Sequence, residues 1–424
     1  MNITEIRKSI AAGRYDSKLE MLYGKALIPA QKKRFDSLLR KAKAIYGDRE
    51  AHLITAPGRT EVGGNHTDHQ LGRVLAASIN LDVAAVVIPV AENEVRYAAP
   101  GFQVKPVQLK SLKPSKAEKN TTESLIRGTA ARFRMLGYQT GGFYAYAESD
   151  VLPGSGMSSS AAFEVLLGTI FNVLYNQNRI DPVEIAKIGQ YAENDFFMKP
   201  CGLLDQMACS VGGFVTIDFK KKDAPVVKKI PFDFAKSGYE LVLTDCKQSH
   251  ADLSDEYGLV PGEMKAVARV LGKTVLSEVT MAQFLKASKK IREKCGDRAW
   301  LRAFHFLNET DRVTDEVKAL KTGDMNRFLQ LIVESGYSSF MYLQNVYYSG
   351  DVRHQSLPVG LALSEEMLKG KGAYRVHGGG FAGTIQAFVP LQMKNEYRSR
   401  MESVFGKGCC YELSIRPVGG YCIL

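Results

Sequence analysis

Residues 153–178 read PGSGMSSSAAFEVLLGTIFNVLYNQN, a turn rich in glycine and serine followed by a long apolar run. The run is apolar nearly all round, which predicts a helix buried on every side. A helix that begins at this turn presents unpaired backbone N–H groups and the positive end of its dipole. Glycines let an anion approach that backbone, and serine hydroxyls add donors or metal ligands. The stretch therefore fits either a phosphate-binding loop or a glycine turn that only caps a buried helix.

Two common nucleotide-binding patterns do not account for this loop. Gly272-Lys273-Thr274 matches the end of a Walker A loop, but Val267 stands where that loop needs its first glycine. A dinucleotide fingerprint needs a third glycine where this chain has Ser159.

The composition is that of a globular protein. The 424 residues are 45% apolar and 24% charged, which excludes wholesale disorder, collagen and coiled-coil rods. A chain of this length predicts two large domains, or one domain with elaborations. Lys and Arg exceed Asp and Glu by 56 − 45 = 11, which favours an anionic partner. Since helix-turn-helix, RNP-type aromatic and zinc-spacing motifs are missing from the sequence, we expect no nucleic-acid partner.

The cysteines and the apolar segments indicate a cytoplasmic protein. Seven cysteines without a C-x-x-C pair suggest reduced thiols rather than a disulfide framework. The first 18 residues have no apolar core of a signal peptide. The most apolar stretch, residues 74–91, contains Ser78, Asn80 and Asp82, so we expect no membrane span and no membrane partner.

Hydrophobic periodicity predicts an α+β fold. Residues 1–50 and 256–345 have helical spacing, and residues 72–98 have the composition of strands. Residues 212–231 suggest a hairpin followed by a basic linker, which we interpret as a domain boundary. After residue 372 the pattern predicts a strand, a glycine cluster, a helix and a strand. Without a regular alternation of strands and helices, a doubly wound sheet is not expected.

A second group of polar residues occurs in residues 57–69, PGRTEVGGNHTDH. Its arginine, acids, histidines and asparagine suit a polyhydroxylated ligand, although a surface turn with Asx caps has a similar composition. Further along, Asp205 lies among apolar residues. If Arg59 is its neighbour, Asp205 stays ionised and can accept a hydroxyl proton; otherwise it caps a helix. Glu193 is a candidate ligand for a hard cation, or a solvated helical glutamate.

A third glycine-rich segment, Gly378-Gly379-Gly380-Phe381-Ala382-Gly383, fits another anion-binding nest or a tight packing contact.

Together these segments resemble the GHMP small-molecule kinases, and more closely the galactokinases among them. Residues 58–69 are similar to the galactokinase signature G-R-x-N-x-I-G-E-H-T-D-Y, and PGSGMSSSAA is similar to the family's P-x-G-x-G-L-S-S-S-A motif. VHGGGFAGTIQAFV resembles the third, glycine-rich motif. AENDFFMKPCGLLDQ resembles the segment that carries the family's magnesium ligand and catalytic aspartate. The resemblance extends over about residues 20–420.

The resemblance implies a two-domain GHMP kinase fold with the active site between the domains. Its N-terminal domain, 1–235, would be of the ribosomal-S5-like type, and its C-terminal domain, 236–424, α/β. The cofactors would be ATP and Mg²⁺, and the partner a small-molecule sugar. The implied catalytic residues are Arg59 and Asp205, and the implied metal ligands are Ser160 and Glu193. The phosphate-binding residues would be Pro153, Gly154, Ser155, Gly156, Met157, Ser158, Ser159 and Ser160, and the sugar-binding residues Asn65, His66, Asp68 and Tyr257.

Three positions depart from the signature: Glu61 replaces Asn, Asn65 replaces Glu, and His69 replaces Tyr. In the family that Glu binds the C6 hydroxyl of the sugar. A carboxylate there would repel a C6 carboxylate about 4 Å away by about 1 kcal/mol in water and about 4 kcal/mol at an effective dielectric near 20. We therefore expect C1 phosphorylation of galactose, with galacturonate as the alternative substrate. A sugar-sensing regulator without turnover is a further alternative, since fold does not fix function.

Overall fold

A computed structural model describes residues 1–102, 104–151, 156–221, 224–247 and 254–424 of the chain. Its α-helices are α1 Ile3–Ala11, α2 Asp16–Tyr23, α3 Ile28–Tyr46, α4 Thr122–Met135, α5 Ser159–Tyr175, α6 Pro182–Tyr191, α7 Leu204–Val211, α8 Ser254–Val270, α9 Met281–Lys286, α10 Ser288–Cys295, α11 Asp297–Thr322, α12 Met325–Ser338, α13 Ser356–Leu368 and α14 Lys394–Phe405. Its strands are β1 His52–Gly63, β2 Arg73–Val90, β3 Glu94–Ala98, β4 Val107–Gln108, β5 Gly142–Ser149, β6 Phe214–Asp218, β7 Val226–Ile230, β8 Tyr239–Asp245, β9 Ala373–Val376, β10 Thr384–Pro390, β11 Cys410–Leu413 and β12 Tyr421–Cys422. Helices mixed with largely antiparallel sheets confirm the predicted α+β class.

The first sheet is covered on both faces. Its strand order is β12-β1-β2-β5-β3-β4, and β6 and β7 extend it from β2. Because side chains alternate along a strand, Ala84, Val86 and Ile88 of β2 pack against the N-terminal helices α1 to α3, whereas Ala85 and Val87 join the cluster that contains α5. The helices expected within residues 1–50 thus form one cover of this sheet.

Helix α5 is the buried helix that the apolar run predicts. Its residues from Ala161 to Asn172 are buried with the exception of Phe163, and they pack in the main hydrophobic core. The helix begins at Ser159, so the glycine- and serine-rich turn lies at its N-terminal end. Packing therefore fixes the direction in which this helix end points.

The second sheet, β11-β8-β10-β9, corrects one expectation. The third glycine cluster is followed by strand β10 and not by a helix. Every residue of β10 is buried, and β10 pairs with β8 on one side and β9 on the other. β-branched Thr384, Ile385 and Val389 suit such a central strand. The helix that was expected here, α14, begins ten residues later at Lys394.

The predicted hairpin is formed by β6 and β7, which are part of the first sheet. The connection from β7 to β8 includes a short 3₁₀ turn, Phe234–Lys236. Residue 235 therefore lies in the segment of chain that leads from the first sheet to the second. The chain returns at its end to the first sheet, where β12 pairs with β1. There Arg416 donates to the buried Asp82 carboxylate at 2.8 Å, which ties this return to β2.

All seven cysteines lie in the described part of the chain and carry free thiols. Among the described helices, none combines the length and the apolar character that crossing a membrane requires.

Candidate active site

Asp205 is held between two segments that are distant in the sequence. Arg59 on β1 donates from Nε to Asp205 Oδ1 at 2.8 Å, and Ser158 donates from Oγ to Asp205 Oδ2 at 2.6 Å. Arg59 also donates from Nη1 to the carbonyl oxygen of Gly156. The structure therefore brings together the arginine, the aspartate and the glycine- and serine-rich turn. About a third of the Asp205 side chain, 37%, remains exposed, so a ligand can reach it.

These contacts keep Asp205 ionised. Burial raises the pKa of the carboxyl, but the charge of Arg59 and the hydrogen bonds from Arg59 and Ser158 outweigh it, so the pKa lies below its ordinary value. An ionised carboxylate is able to accept a hydrogen bond, and then a proton, from a hydroxyl group.

The turn before α5 has the geometry of an anion cradle. Gly156 has φ +74° and Ser158 φ +60°, both in the left-handed region. A Cβ on Gly156 would lie 3.1 Å from Thr384 Oγ1, so the second sheet approaches the turn closely. Met157 is buried and its carbonyl accepts from the Arg59 backbone at 3.2 Å. This backbone and the free N–H groups at the start of α5 fit a phosphate group.

Of the other residues expected to bind phosphate, Ser159 and Ser160 form the first turn of α5 and are partly exposed. Pro153, Gly154 and Ser155 lie outside the described residues.

Glu193 is a buried carboxylate with a cation beside it. It lies in a π-helical turn, Ala192–Phe197, that follows α6. The ammonium of Lys199 is 3.1 Å from Glu193 Oε1, and the amide of Gln206 donates to Glu193 Oε2 at 2.9 Å. The same Gln206 nitrogen donates to Glu164 on α5, also at 2.9 Å. A buried carboxylate that holds an ammonium has the chemistry of a site for a hard cation, so Glu193 fits the role of magnesium ligand.

His66 presents an unpaired ring nitrogen. Its Nε2 is 2.9 Å from the carbonyl oxygen of Gly379, and since a carbonyl only accepts, Nε2 carries the hydrogen. Burial, and then the neighbouring His69, lower the pKa of His66 to about 4, so the ring is neutral and Nδ1 is an acceptor. Nδ1 is buried and has no hydrogen-bond partner among the described residues. A ligand hydroxyl would satisfy it.

Asp68 lies against the segment that leads to Asp205. A Cβ on Gly202 would be only 2.6 Å from Asp68 Oδ2, so glycine at position 202 lets the carboxylate approach. Asp68 Oδ1 accepts from the backbone of His69 at 2.9 Å. Asp68 therefore lies beside Gly202, three residues before Asp205 in the chain.

The third glycine cluster is a tight packing contact. Three residues expected to bind sugar donate to its successive carbonyls: Asn65 to Gly378 at 2.7 Å, His66 to Gly379, and Tyr257 to Gly380 at 2.6 Å. The Tyr257 ring also packs edge-to-face on Phe381 at 5.3 Å between centroids. These bonds join the loop after β1 and helix α8 to the second sheet.

Asn65 lies in the interior of the protein rather than at its surface. It is fully buried, and besides Gly378 its amide donates to Glu61 at 2.8 Å. Its oxygen accepts from Asn345 at 2.8 Å. Glu61 in turn accepts from the buried Arg375 at 3.2 Å. The two exchanged signature positions thus contact each other, and the carboxylate that the signature has at 65 is at 61 in this chain, paired with an arginine.

Several supporting residues lie outside the three glycine motifs. His305 Nε2 is 2.9 Å from the Asn65 carbonyl oxygen, and Glu309 accepts from the Gly64 backbone at 3.1 Å. Burial opposes ionisation of Glu309, but Arg312 lowers its pKa to about 2. Residues 305 and 309 are spaced i, i+4 on the long helix α11, and this spacing places them on a common face.

Two family models match the segments that carry these residues. A model described as the GHMP kinases N-terminal domain matches residues 124–213, and the galactokinase galactose-binding signature matches residues 43–89. Together the two models cover 137 of the 424 residues, and these segments are similar to those of GHMP kinases and galactokinases. The galactose-binding signature spans Arg59, Asn65, His66 and Asp68, and the GHMP kinase segment spans Glu193 and Asp205.

Solved GHMP kinases share the fold over nearly their whole length. The galactokinase of Lactococcus lactis, crystallised with galactose, is 21% identical with a TM-score of 0.78, over 92% of this chain and 99% of its own. The mevalonate kinase of Methanococcus jannaschii is 13% identical with a TM-score of 0.62, over 86% and 98%. The phosphomevalonate kinase of Streptococcus pneumoniae is 11% identical with a TM-score of 0.57, over 88% and 99%. These similarities show the predicted two-domain GHMP kinase fold.

Proposed function

We propose that this protein is a GHMP kinase, and more specifically a sugar-1-kinase that transfers the terminal phosphoryl group of ATP to the C1 hydroxyl of galactose. The observation that carries the proposal is the ionised Asp205 carboxylate, held by Arg59 at 2.8 Å and by Ser158 at 2.6 Å beside the turn that fits a phosphate. The match to the galactose-binding signature supports a sugar as the acceptor.

In the proposed reaction Asp205 accepts the hydrogen bond of the C1 hydroxyl and holds or takes its proton. The oxygen of that hydroxyl forms a bond to the terminal phosphorus, the bond from that phosphorus to the bridging oxygen breaks, and ADP leaves. Arg59 fixes the orientation of Asp205 and places positive charge next to the reacting group. Phosphoryl transfer depends mostly on such positioning and electrostatics.

The cofactors are ATP and Mg²⁺ in this proposal. The turn before α5 would hold the phosphates, and Ser160 and Glu193 would hold the metal ion. When bound, Mg²⁺ supplies charge neutralisation at the phosphate oxygens.

His66 and Asp68 would hold the sugar. Nδ1 of the neutral His66 ring accepts from a hydroxyl, and Asp68 accepts from one or two more. Tyr257 and Asn65 would support the sugar site indirectly. Tyr257 donates to Gly380 and Asn65 to Gly378, and both glycines belong to the cluster that His66 also contacts. Asn65 is thus proposed to position the sugar site rather than to touch C6.

Galacturonate is the second candidate substrate, and the exchange of residues 61 and 65 favours it. In this chain the carboxylate at position 61 is buried and paired with Arg375, while position 65 is neutral. A C6 carboxylate near position 65 would therefore meet no unpaired negative charge from this pair.

A substrate panel tests the proposal. The purified protein is incubated with ATP, Mg²⁺ and either galactose, galacturonate or glucose, and ADP release is followed. Turnover on galactose supports the first candidate, and preference for galacturonate selects the second. Sugar binding without ADP release would indicate a regulator, and neither binding nor turnover with any sugar would overturn the sugar-kinase assignment.

A further inference from the structure

Lys199 places a positive charge at the entrance to the proposed metal site. Its backbone N–H donates to the Glu193 carbonyl at 3.1 Å, which folds the chain back over the π-helical turn. The preceding residue, Met198, has φ +60° and makes this reversal possible. The Lys199 side chain is 58% exposed, whereas that of Glu193 is 4% exposed. The ammonium therefore lies on the solvent side of a carboxylate that is otherwise enclosed.

One carboxylate oxygen of Glu193 is already held by a hydrogen bond within the protein. Its Oε2 accepts from Gln206, which follows Asp205 directly, and Gln206 also binds Glu164. Oε1 is the oxygen that Lys199 contacts, at 3.1 Å. An incoming cation would thus compete with the Lys199 ammonium for Oε1 while Gln206 keeps Glu193 in place.

Lys199 also acts electrostatically on Asp205. After Arg59 and Ser158, the charge of Lys199 contributes to the lowered pKa of Asp205. The ammonium therefore interacts with the charge of Asp205 as well as with Glu193, the proposed metal ligand. A lysine side chain can move from one anionic partner to another, because its ammonium is a point charge on a flexible four-carbon stem.

We propose that Lys199 is a second cation of the phosphoryl-transfer site, which pairs with Glu193 in the free enzyme and contacts the terminal phosphate of the nucleotide when a divalent cation occupies Glu193. In the free enzyme it neutralises a buried carboxylate that otherwise accepts from the uncharged amide of Gln206. In the loaded enzyme it adds a charge-assisted hydrogen bond to the group being transferred. This inference rests on the proposed kinase function.

The test compares Lys199→Met and Lys199→Arg with the wild-type protein. Isothermal titration calorimetry measures binding of ADP and of a non-hydrolysable ATP analogue, each with Mg²⁺. Lys236→Met is the matched control, since Lys236 pairs at 3.0 Å with Asp233 and both side chains are exposed. Thermal unfolding of each variant checks that it is folded.

We expect Lys199→Met to bind the ATP analogue about tenfold more weakly and ADP within twofold of wild type, with Lys199→Arg in between. In the absence of nucleotide, Mn²⁺ binding followed by electron paramagnetic resonance should be tighter in Lys199→Met, because the competing ammonium is gone. Equal weakening of both nucleotides, or no change in either, would overturn the role of Lys199. If the wild type phosphorylates sugar in that case, the proposed function stands; a wild type that binds neither nucleotide defeats both.

Discussion

Asp205→Asn removes the carboxylate charge at nearly constant shape. The asparagine oxygen can still accept from Arg59, so the position of residue 205 is retained. What is lost is the ionised group that the structure maintains through Arg59 and Ser158. Since a positioned proton acceptor contributes about 10²–10⁴-fold, we expect kcat to fall by that factor. The KM for the sugar should change less than about threefold, because His66 and Asp68 are untouched.

The effect on stability should be much smaller. Arg59 exchanges a charged acceptor for a neutral one, a loss of about 1–2 kcal/mol for a buried bond. Because 37% of the Asp205 side chain is exposed, water screens part of this interaction, and we expect about 1 kcal/mol. Urea unfolding measures this change in the free energy of unfolding, and a coupled assay of ADP release measures kcat.

Asp218→Asn is the matched control for this variant. Asp218 accepts from Arg73 at 2.9 Å, as Asp205 does from Arg59, but both partners are about one-third exposed and belong to β2 and β6. We expect wild-type kcat from this control. A kcat for Asp205→Asn within threefold of wild type would refute the reasoning, and so would an equal loss in Asp218→Asn.

Three further variants test the geometry around the site. His66→Asn should flatten the pH dependence of stability: with a folded pKa of about 4 against about 6.5 unfolded, His66 costs the wild type about 2–3 kcal/mol at pH 4.5 relative to pH 7, as measured by urea unfolding at both pH values. Gly202→Ala places a Cβ 2.6 Å from Asp68 Oδ2, so the carboxylate must move and the sugar KM should rise about tenfold in steady-state kinetics. Arg375→Met leaves the buried Glu61 without its cation, and the free energy of unfolding should fall by about 3–5 kcal/mol in urea.

Each variant has a control elsewhere in the chain. His354 is exposed and contacts Asp351 at 2.7 Å, so His354→Asn should alter the pH dependence of stability much less than His66→Asn does. A Cβ on Gly258 would meet no atom within 4 Å among the described residues, so Gly258→Ala should leave KM unchanged. Arg96 pairs with Glu94 at 2.6 Å on the surface, and Arg96→Met should cost less than about 1 kcal/mol. If a variant and its control show the same change in the measured quantity, the explanation given for that variant is wrong.

Local sequence patterns were sufficient for much of the fold. The apolar run after Ser159 predicts a buried helix because no polar face interrupts it, and α5 is such a helix. The prediction of a helix directly after the glycine cluster at 378–383 was wrong, because strand β10 follows it. The position of β10 is set by its pairing with β8, about 140 residues earlier. Pairing across that distance leaves no local signal beyond the β-branched residues of β10.

The site was predictable where its residues occur in compact motifs. Arg59, Asp205 and Ser158 lie in three of them, and the structure brings them into contact. Gln206 and Arg375 were missed because their role depends on partners at long sequence separation. Gln206 is 42 residues from Glu164, and Arg375 is 314 residues from Glu61.

The chemical identity of the product tests the central claim most directly. The protein is incubated with ATP, Mg²⁺ and galactose labelled with carbon-13 at C1, or with galacturonate labelled in the same way, and the product is observed by carbon-13 and phosphorus-31 NMR. We predict that the labelled carbon becomes coupled to phosphorus, which places the phosphate on O1. A phosphate on another hydroxyl, or ATP that remains unconsumed with both sugars, would contradict the account.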